Sequence, residues 1–289
     1  MLAREEGRRP TLQEVYFEAA SHAPYYALPE ARGSPQLSSI PASRQFAAVL
    51  CGTVELYDVA TQQSTHSSLS VDFGGGGSYL ELENALLCIG AQPATTAVFS
   101  LDFGSLHLRA LPTMCTPRDG PGLAKAGDWV YVFGGWDNHY DLNLCEKFSV
   151  EEKQWRPLGS MHQPRSHFTP CSFRRLIYLL CTISKDHRAM ESFDSQTEVF
   201  ALLPLALPLQ LELGCCSVAF VADGELYLLT GYKQMVRWKI DSEREFRLFS
   251  TNRECGSTQS PRILDSRVLI ANDYYGQVEK FSLESFDFF

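Results

Sequence analysis

The chain has 289 residues, 45% of them hydrophobic and 20% charged, enough to bury a sizeable core in one all-β domain. Its 34 acidic residues outnumber 25 Lys and Arg, giving a formal net charge of −9. That balance argues against non-specific nucleic-acid binding, which needs clustered cations to neutralise phosphates. No apolar run reaches bilayer-spanning length, and the opening MLAREEGRRP has no apolar core behind its charges. Neither membrane insertion nor a secretory signal is expected. The nine cysteines include no CxxC pair, and Cys51, Cys88 and Cys181 sit inside apolar runs, where thiols act as small buried hydrophobes. These features predict a cytoplasmic protein with no metal and no cofactor.

In chain order, residues 1–40 lie outside any repeat and read as an N-terminal extension. Within it, Thr11–Ala20 carries Leu12, Val15, Tyr16 and Ala19 at helical spacing, with Thr11 as N-cap. The following stretch to Pro41 is rich in proline and small residues, and reads as an extended tail. It is expected to pack on the rest, to supply a closing strand, or to reach a partner.

Residues 41–289 carry a repeat. Apolar runs end in a small pair at Cys51-Gly52, Ile89-Gly90, Gly134-Gly135, Cys181-Thr182, Thr230-Gly231 and Ala271-Asn272. The intervals between first members are 38, 45, 47, 49 and 41 residues. Each pair precedes an aromatic that opens another strand: Tyr57, Phe99, Phe148, Phe193, Trp238 and Phe281. A second apolar residue follows seven or eight positions on, at Leu106, Trp155, Phe200, Phe246 and Phe288; Ser64 breaks this pattern in the first unit. A period in the forties with several short strands per unit is the signature of propeller blades, which bury their sheets by stacking radially.

The unit from Arg118 to Gln163, with Gly134-Gly135, Phe148 and Trp155 in order, resembles the kelch family. The resemblance extends over about 250 residues, with one strong unit and five divergent ones. It implies an all-β propeller of about six four-stranded blades. It also implies a backbone that turns tightly at the glycines, where a neighbouring aromatic packs. Phe288, seven residues after Phe281, places the outer strand of the last blade at the C-terminal end.

Other motifs are weaker. Ser70-Val71-Asp72-Phe73-Gly74 and Ser100-Leu101-Asp102-Phe103-Gly104 look like the Asp-box turn of sialidase propellers, and the second falls where a turn joins the third and fourth strands of its blade. The run Gly74–Gly77 precedes a strand-like sequence, so a flexible loop is expected rather than a phosphate cradle. His162 and His167 flank Pro164-Arg165 in a strand-entry loop without metal-motif spacing.

The loops after the small pairs vary in length, and in a propeller all emerge on one face. With the inter-blade loops they make Arg44, Arg118, Trp136, Asp137, His139, Tyr140, Arg165, Lys185, Arg188, Tyr232, Lys233, Tyr274 and Tyr275 the candidate partner contacts. Trp, Tyr and Arg dominate interface hot spots. Kelch propellers resemble interaction modules, and these 289 residues hold no attached domain beyond propeller and tail. The expected function is a non-catalytic scaffold that binds other proteins within a hetero-oligomeric complex. A substrate-recognition subunit for ubiquitin ligation, or a sugar or small-molecule enzyme with side chains convergent on the central channel, are the alternatives.

Overall fold

The fold is taken from a computed structural model, which describes residues 45–289 apart from 51–52, 59–60, 62, 71–75, 104, 106, 181–188, 207–216, 241–245, 256, 258, 260, 265–266 and 273–276. The expected N-terminal extension lies outside the described residues, as does the first Ser-x-Asp-x-Gly string from Val71 onward.

Among the described residues the β-branched and aromatic runs form strands, and the strands make six antiparallel sheets. Blade one holds β1 (Gln45–Leu50), β2 (Thr53–Asp58) and β3 (Gln63–Ser70). Blade two holds β4 (Ser78–Glu81), β5 (Ala85–Ile89), β6 (Val98–Asp102) and β7 (Leu108–Ala110). Blade three is β8 (Gly122–Ala126), β9 (Trp129–Phe133), β10 (Cys145–Ser149) and β11 (Gln154–Pro157). Blade four is β12 (Cys171–Phe173), β13 (Leu176–Leu179), β14 (Ala189–Asp194) and β15 (Val199–Ala206). Blade five is β16 (Val218–Ala222), β17 (Glu225–Leu229), β18 (Gln234–Lys239) and β19 (Arg247–Ser250). Blade six is β20 (Arg262–Leu264), β21 (Arg267–Asn272) and β22 (Gln277–Ser282), with its outer position marked by a bridge from Phe281 to Phe288. The C-terminal placement of that last strand agrees with the seven-residue spacing.

The ring closes through six hydrophobic clusters, each shared by two neighbouring blades. Val54 and Ala47 meet Tyr79 and Leu86 between blades one and two. Ile89 meets Val132, Phe133 meets Phe193, Tyr178 meets Trp238, and Phe220 meets Phe281 around the ring. Phe46, Ala48 and Tyr57 pack with Leu269 and Ala271 to join blade one to blade six. Strands covered on both faces by such seams need apolar residues at successive positions, which is why VYVF and LYLL do not alternate.

The repeat has a physical meaning at each marked position. Aromatics seven apart are cross-strand neighbours on the third and fourth strands: Phe148 opposite Trp155, and Phe193 opposite Phe200, with ring centroids 4.9 and 4.7 Å apart. Such pairs add about 1 kcal/mol beyond burial. Tyr57 faces Ser64 in the same register, so blade one keeps the geometry and lacks the second ring. Blade two departs: Phe99 faces Ala110, not Leu106.

At the small pair, Gly134 has φ +59 and a Cβ there would meet the Arg165 carbonyl oxygen at 2.1 Å. The neighbour that excludes a side chain is thus the next blade's backbone, where the resemblance implied an aromatic. The second Ser-x-Asp-x-Gly string does form a turn between β6 and β7, with Asp102 Oδ1 accepting from Ser105 N and Oγ at 2.7 Å each.

Candidate functional site

The loops joining second to third strands are built by short-range hydrogen bonds. In blade three, Asp137 Oδ1 accepts from His139 N at 2.9 Å and Tyr140 N at 2.7 Å, and Asp137 N donates to the Tyr140 carbonyl at 3.1 Å. The Tyr140 and His139 amides hold the Asp137 carboxyl below its ordinary range. Asn138, at φ +81, accepts from Ala94 N at 2.8 Å and ties this loop to blade two. Trp136 and Asp119 exchange backbone hydrogen bonds of 2.8 Å in both directions. The result is a fixed loop that leaves Tyr140 75% exposed, beside His139. In blade five, Thr251 N donates to the Lys233 carbonyl at 2.8 Å, and Tyr232 is 52% exposed. Arg44, Lys185, Arg188, Tyr274 and Tyr275 lie outside the described residues.

Arg118 and Arg165 do not belong to this surface, because both are buried, with 1% or less of their surface exposed. Arg118 Nη2 donates to Glu146 Oε1 at 2.9 Å, and Nη1 to the carbonyls of Gly134 and Leu144. Glu146 also accepts from Cys115 N and Thr116 N, at 2.8 and 3.1 Å. Burial pushes the Glu146 carboxyl up, but the Cys115 amide and the Arg118 guanidinium outweigh it and hold it low. Arg165 repeats the arrangement: it donates to Glu191 at 3.0 Å, and Glu191 accepts from His162 N and Gln163 N. Arg253 pairs with buried Glu279 at 2.6 Å in blade six. These are struts that fasten the loop entering a blade to that blade's third strand. A guanidinium with its fork spent on interior carbonyls and a carboxylate has no face for a partner.

The same loops create a polar chain near the axis that sequence reading missed. Ser166 Oγ donates to Asp141 Oδ1 at 2.6 Å, His167 Nδ1 lies 3.1 Å from Ser166 Oγ, and His167 Nε2 lies 3.3 Å from Asp119 Oδ1. The order Asp–His–Ser invites comparison with a nucleophilic triad. The geometry gives another role: Ser166 is 2% exposed and its proton is directed at Asp141, away from the imidazole. Gly120 N donates to the Gly76 carbonyl at 2.7 Å and His167 N to the Gly120 carbonyl at 2.6 Å. These bonds link the entries of blades two, three and four. Further round, Thr169 Oγ1 donates to the Ser257 carbonyl at 3.3 Å, and Gln259 Nε2 donates to the Ala47 carbonyl. Thr169, Ser217, Ser257 and Gln259 are all buried, and the Thr169 and Gln259 side chains are held by these bonds.

The first strands β4, β8, β12 and β16 lie side by side around the axis. Their registers, with that of β20, align Glu81, Lys125, Ser172, Val221 and Ile263, each opposite a fully buried residue of the second strand. This is where the inner strands become accessible: Lys125, Ser172 and Ile263 are exposed, and Glu81 and Val221 half-buried. Arg262 Nη1 lies 2.8 Å from Glu81 Oε1, joining blade six to blade two across blade one. Burial pushes the Glu81 carboxyl up to about 7 against the opposing pull of Arg262. The one sequence signal was a carboxylate directly after the apolar Tyr79-Leu80 in a strand. Among the described residues no group of three or more His, Cys, Asp or Glu is placed to hold a metal, and no helix is long and apolar enough to cross a membrane.

Comparisons with known proteins agree with this architecture. The family model described as Kelch motif matches residues 117–162. A solved structure titled "Structure of YjhT" is similar over 61% of this chain and 65% of that one, at 15% identity and TM-score 0.50. At that identity the likeness concerns the fold. No curated protein matches the sequence. The arrangement of blades around the ring makes this chain a β-propeller, and its third blade carries a Kelch motif.

Proposed function

We propose that this propeller is a non-catalytic scaffold that binds another protein through the loops between second and third strands, as a subunit of a cytoplasmic assembly. The observation that carries the reading is the blade-three loop, where Asp137 and Asn138 fix the backbone and leave Tyr140 75% exposed. A rigid aromatic loses little conformational entropy on binding, which is what makes such residues effective anchors. Tyr232 of blade five, 52% exposed with Lys233 beside it, extends the surface around the ring.

The test is affinity purification of the intact chain with mass spectrometry, comparing wild type with Tyr140→Ala and Tyr232→Ala. The expected result is a stoichiometric partner retained by wild type and lost, or weakened at least tenfold, in the variants, with unchanged melting temperature. Retention of every partner by the double variant would overturn the assignment to this face. Recovery of ubiquitin-ligase subunits would narrow the scaffold to substrate recognition.

A further inference from the structure

Three blades share one backbone position near the axis and fill it differently. The Gly120 amide donates to the Gly76 carbonyl at 2.7 Å, and the His167 amide to the Gly120 carbonyl at 2.6 Å. Gly120 stands two residues after Arg118, and His167 two after Arg165, so these residues are counterparts. The φ angles of Gly76, Gly120 and His167 are +78, +54 and +51. Glycine adopts such angles freely, whereas a residue with a β-carbon is strained there. Blade four thus places an imidazole where the backbone favours glycine. Strain of this kind clusters at binding sites.

The imidazole faces a buried carboxylate. His167 Nε2 lies 3.3 Å from Asp119 Oδ1. Asp119 is 1% exposed, and Oδ1 accepts no hydrogen bond among the described residues. Glycines clear the space for both groups: a Cβ at Gly76 would meet Asp119 Oδ1 at 2.0 Å, and one at Gly120 would meet the His167 ring at 2.6 Å. The tautomer follows from Ser166. Its hydroxyl proton goes to Asp141 Oδ1 at 2.6 Å, so in the 3.1 Å contact with His167 the Nδ1–H donates, and Nε2 is left as an acceptor. Two acceptors converge, and a carboxylate this deep is costly until a donor reaches it. The His167 side chain, 26% exposed, is the accessible wall of the site. Trp136, bonded to Asp119, and Asp141, bonded to Ser166, bracket Tyr140 in the blade-three loop. The site therefore adjoins the face proposed above.

We propose that Asp119 and His167 form a socket for an arginine side chain of the bound protein. Two N–H groups of one guanidinium suit two acceptors 3.3 Å apart, with the carboxylate supplying charge and Nε2 supplying direction. The net charge of −9 favours the approach of a cation. The socket rests on the reading that this face binds a protein, and it names what that protein presents.

Titration of N-acetyl-argininamide into the full chain, followed by NMR at the His167 ring, tests the socket without the partner. The expected result is saturable shifts with a dissociation constant in the roughly millimolar range. N-acetyl-norleucinamide should give none, and Asp119→Asn should bind argininamide at least tenfold more weakly. Asp119→Asn should also raise the melting temperature of the ligand-free chain, since it removes a buried charge and keeps the shape. A carboxylate retained only to hold the fold would give a lower melting temperature instead. Unshifted His167 resonances, equal binding by Asp119→Asn, a lowered melting temperature, or a ring nitrogen spectrum with Nε2 protonated would each overturn the socket. None of these outcomes bears on partner capture by Tyr140 and Tyr232, which affinity purification reads separately.

Discussion

Glu81 gives the sharpest quantitative prediction. Its side chain is 18% exposed beside Arg262, so solvent screening is limited, and burial lifts its carboxyl from 4.5 to about 7. A carboxyl whose folded pKa exceeds its unfolded value binds protons more tightly in the native state. Stability therefore falls as pH rises from about 4.5 to 7, and the full cost of ionisation is present above that window. A shift of this size corresponds to about 3 kcal/mol at pH 8.5 and about 1.5 kcal/mol at pH 5.5. Glu81→Gln keeps the shape of the protonated group and removes the titration. The variant should be more stable than wild type by a margin that grows by about 2 kcal/mol between pH 5.5 and 8.5. Urea unfolding at the two pH values, with equal m-values, measures that margin. A difference that does not change with pH would refute the reasoning, because an ordinary solvated carboxylate is fully ionised over most of that range. A variant less stable at pH 8.5 would show that the Arg262 contact outweighs burial.

Three further outcomes follow from the packing. Gly134→Ala should cost about 3 kcal/mol, since φ +59 and the Arg165 carbonyl both oppose a side chain, whereas Gly224→Ala, with φ +77 and open space, should cost about 1 kcal/mol by chemical denaturation. Glu146→Gln should destabilise by about 3–5 kcal/mol, because it leaves the fully buried Arg118 uncompensated; a loss below 1 kcal/mol in the same measurement would deny the strut its role. Asp137→Ala should leave global stability within about 1 kcal/mol and speed exchange of the His139 and Tyr140 amides, which lose their shared acceptor.

The frame was legible because it rests on local periodicity. The small pairs end the second strands, and the seven-residue aromatic spacing is the cross-strand register of Phe148 with Trp155 and of Phe193 with Phe200. Of the candidate contacts, what was legible is exposure where it follows from loop position, as at Tyr140 and Tyr232. It was misread at Arg118 and Arg165, because arginine in a loop ordinarily points to water. Nothing local announces that the accepting carboxylate stands 28 or 26 residues downstream on the third strand of the same blade. The axial chain of Asp119, Ser166 and His167 escaped for the same reason: its members meet only once blades three and four are side by side.

That misreading carries information about where the functional surface lies. Each strut spends a guanidinium and a carboxylate, the groups most apt for charged recognition, on holding an entry loop against its own blade. Glu146 and Glu191 each also take two backbone amides from that loop, so its path is fixed from both ends. Variation in sequence and length is left to the loops after the small pairs, which can change without disturbing a seam or a strut. A partner that recognises this propeller by charge must then find it on the face of those loops or at the accessible end of the axis, where Glu81 and Arg262 sit. The two are separated by the buried level of Thr169, Ser217, Ser257 and Gln259. Substitutions at Tyr140 and at Glu81 should therefore act independently, one on partner capture and the other on pH-dependent stability, and a measured coupling between them would mean that these buried residues transmit strain from one end to the other.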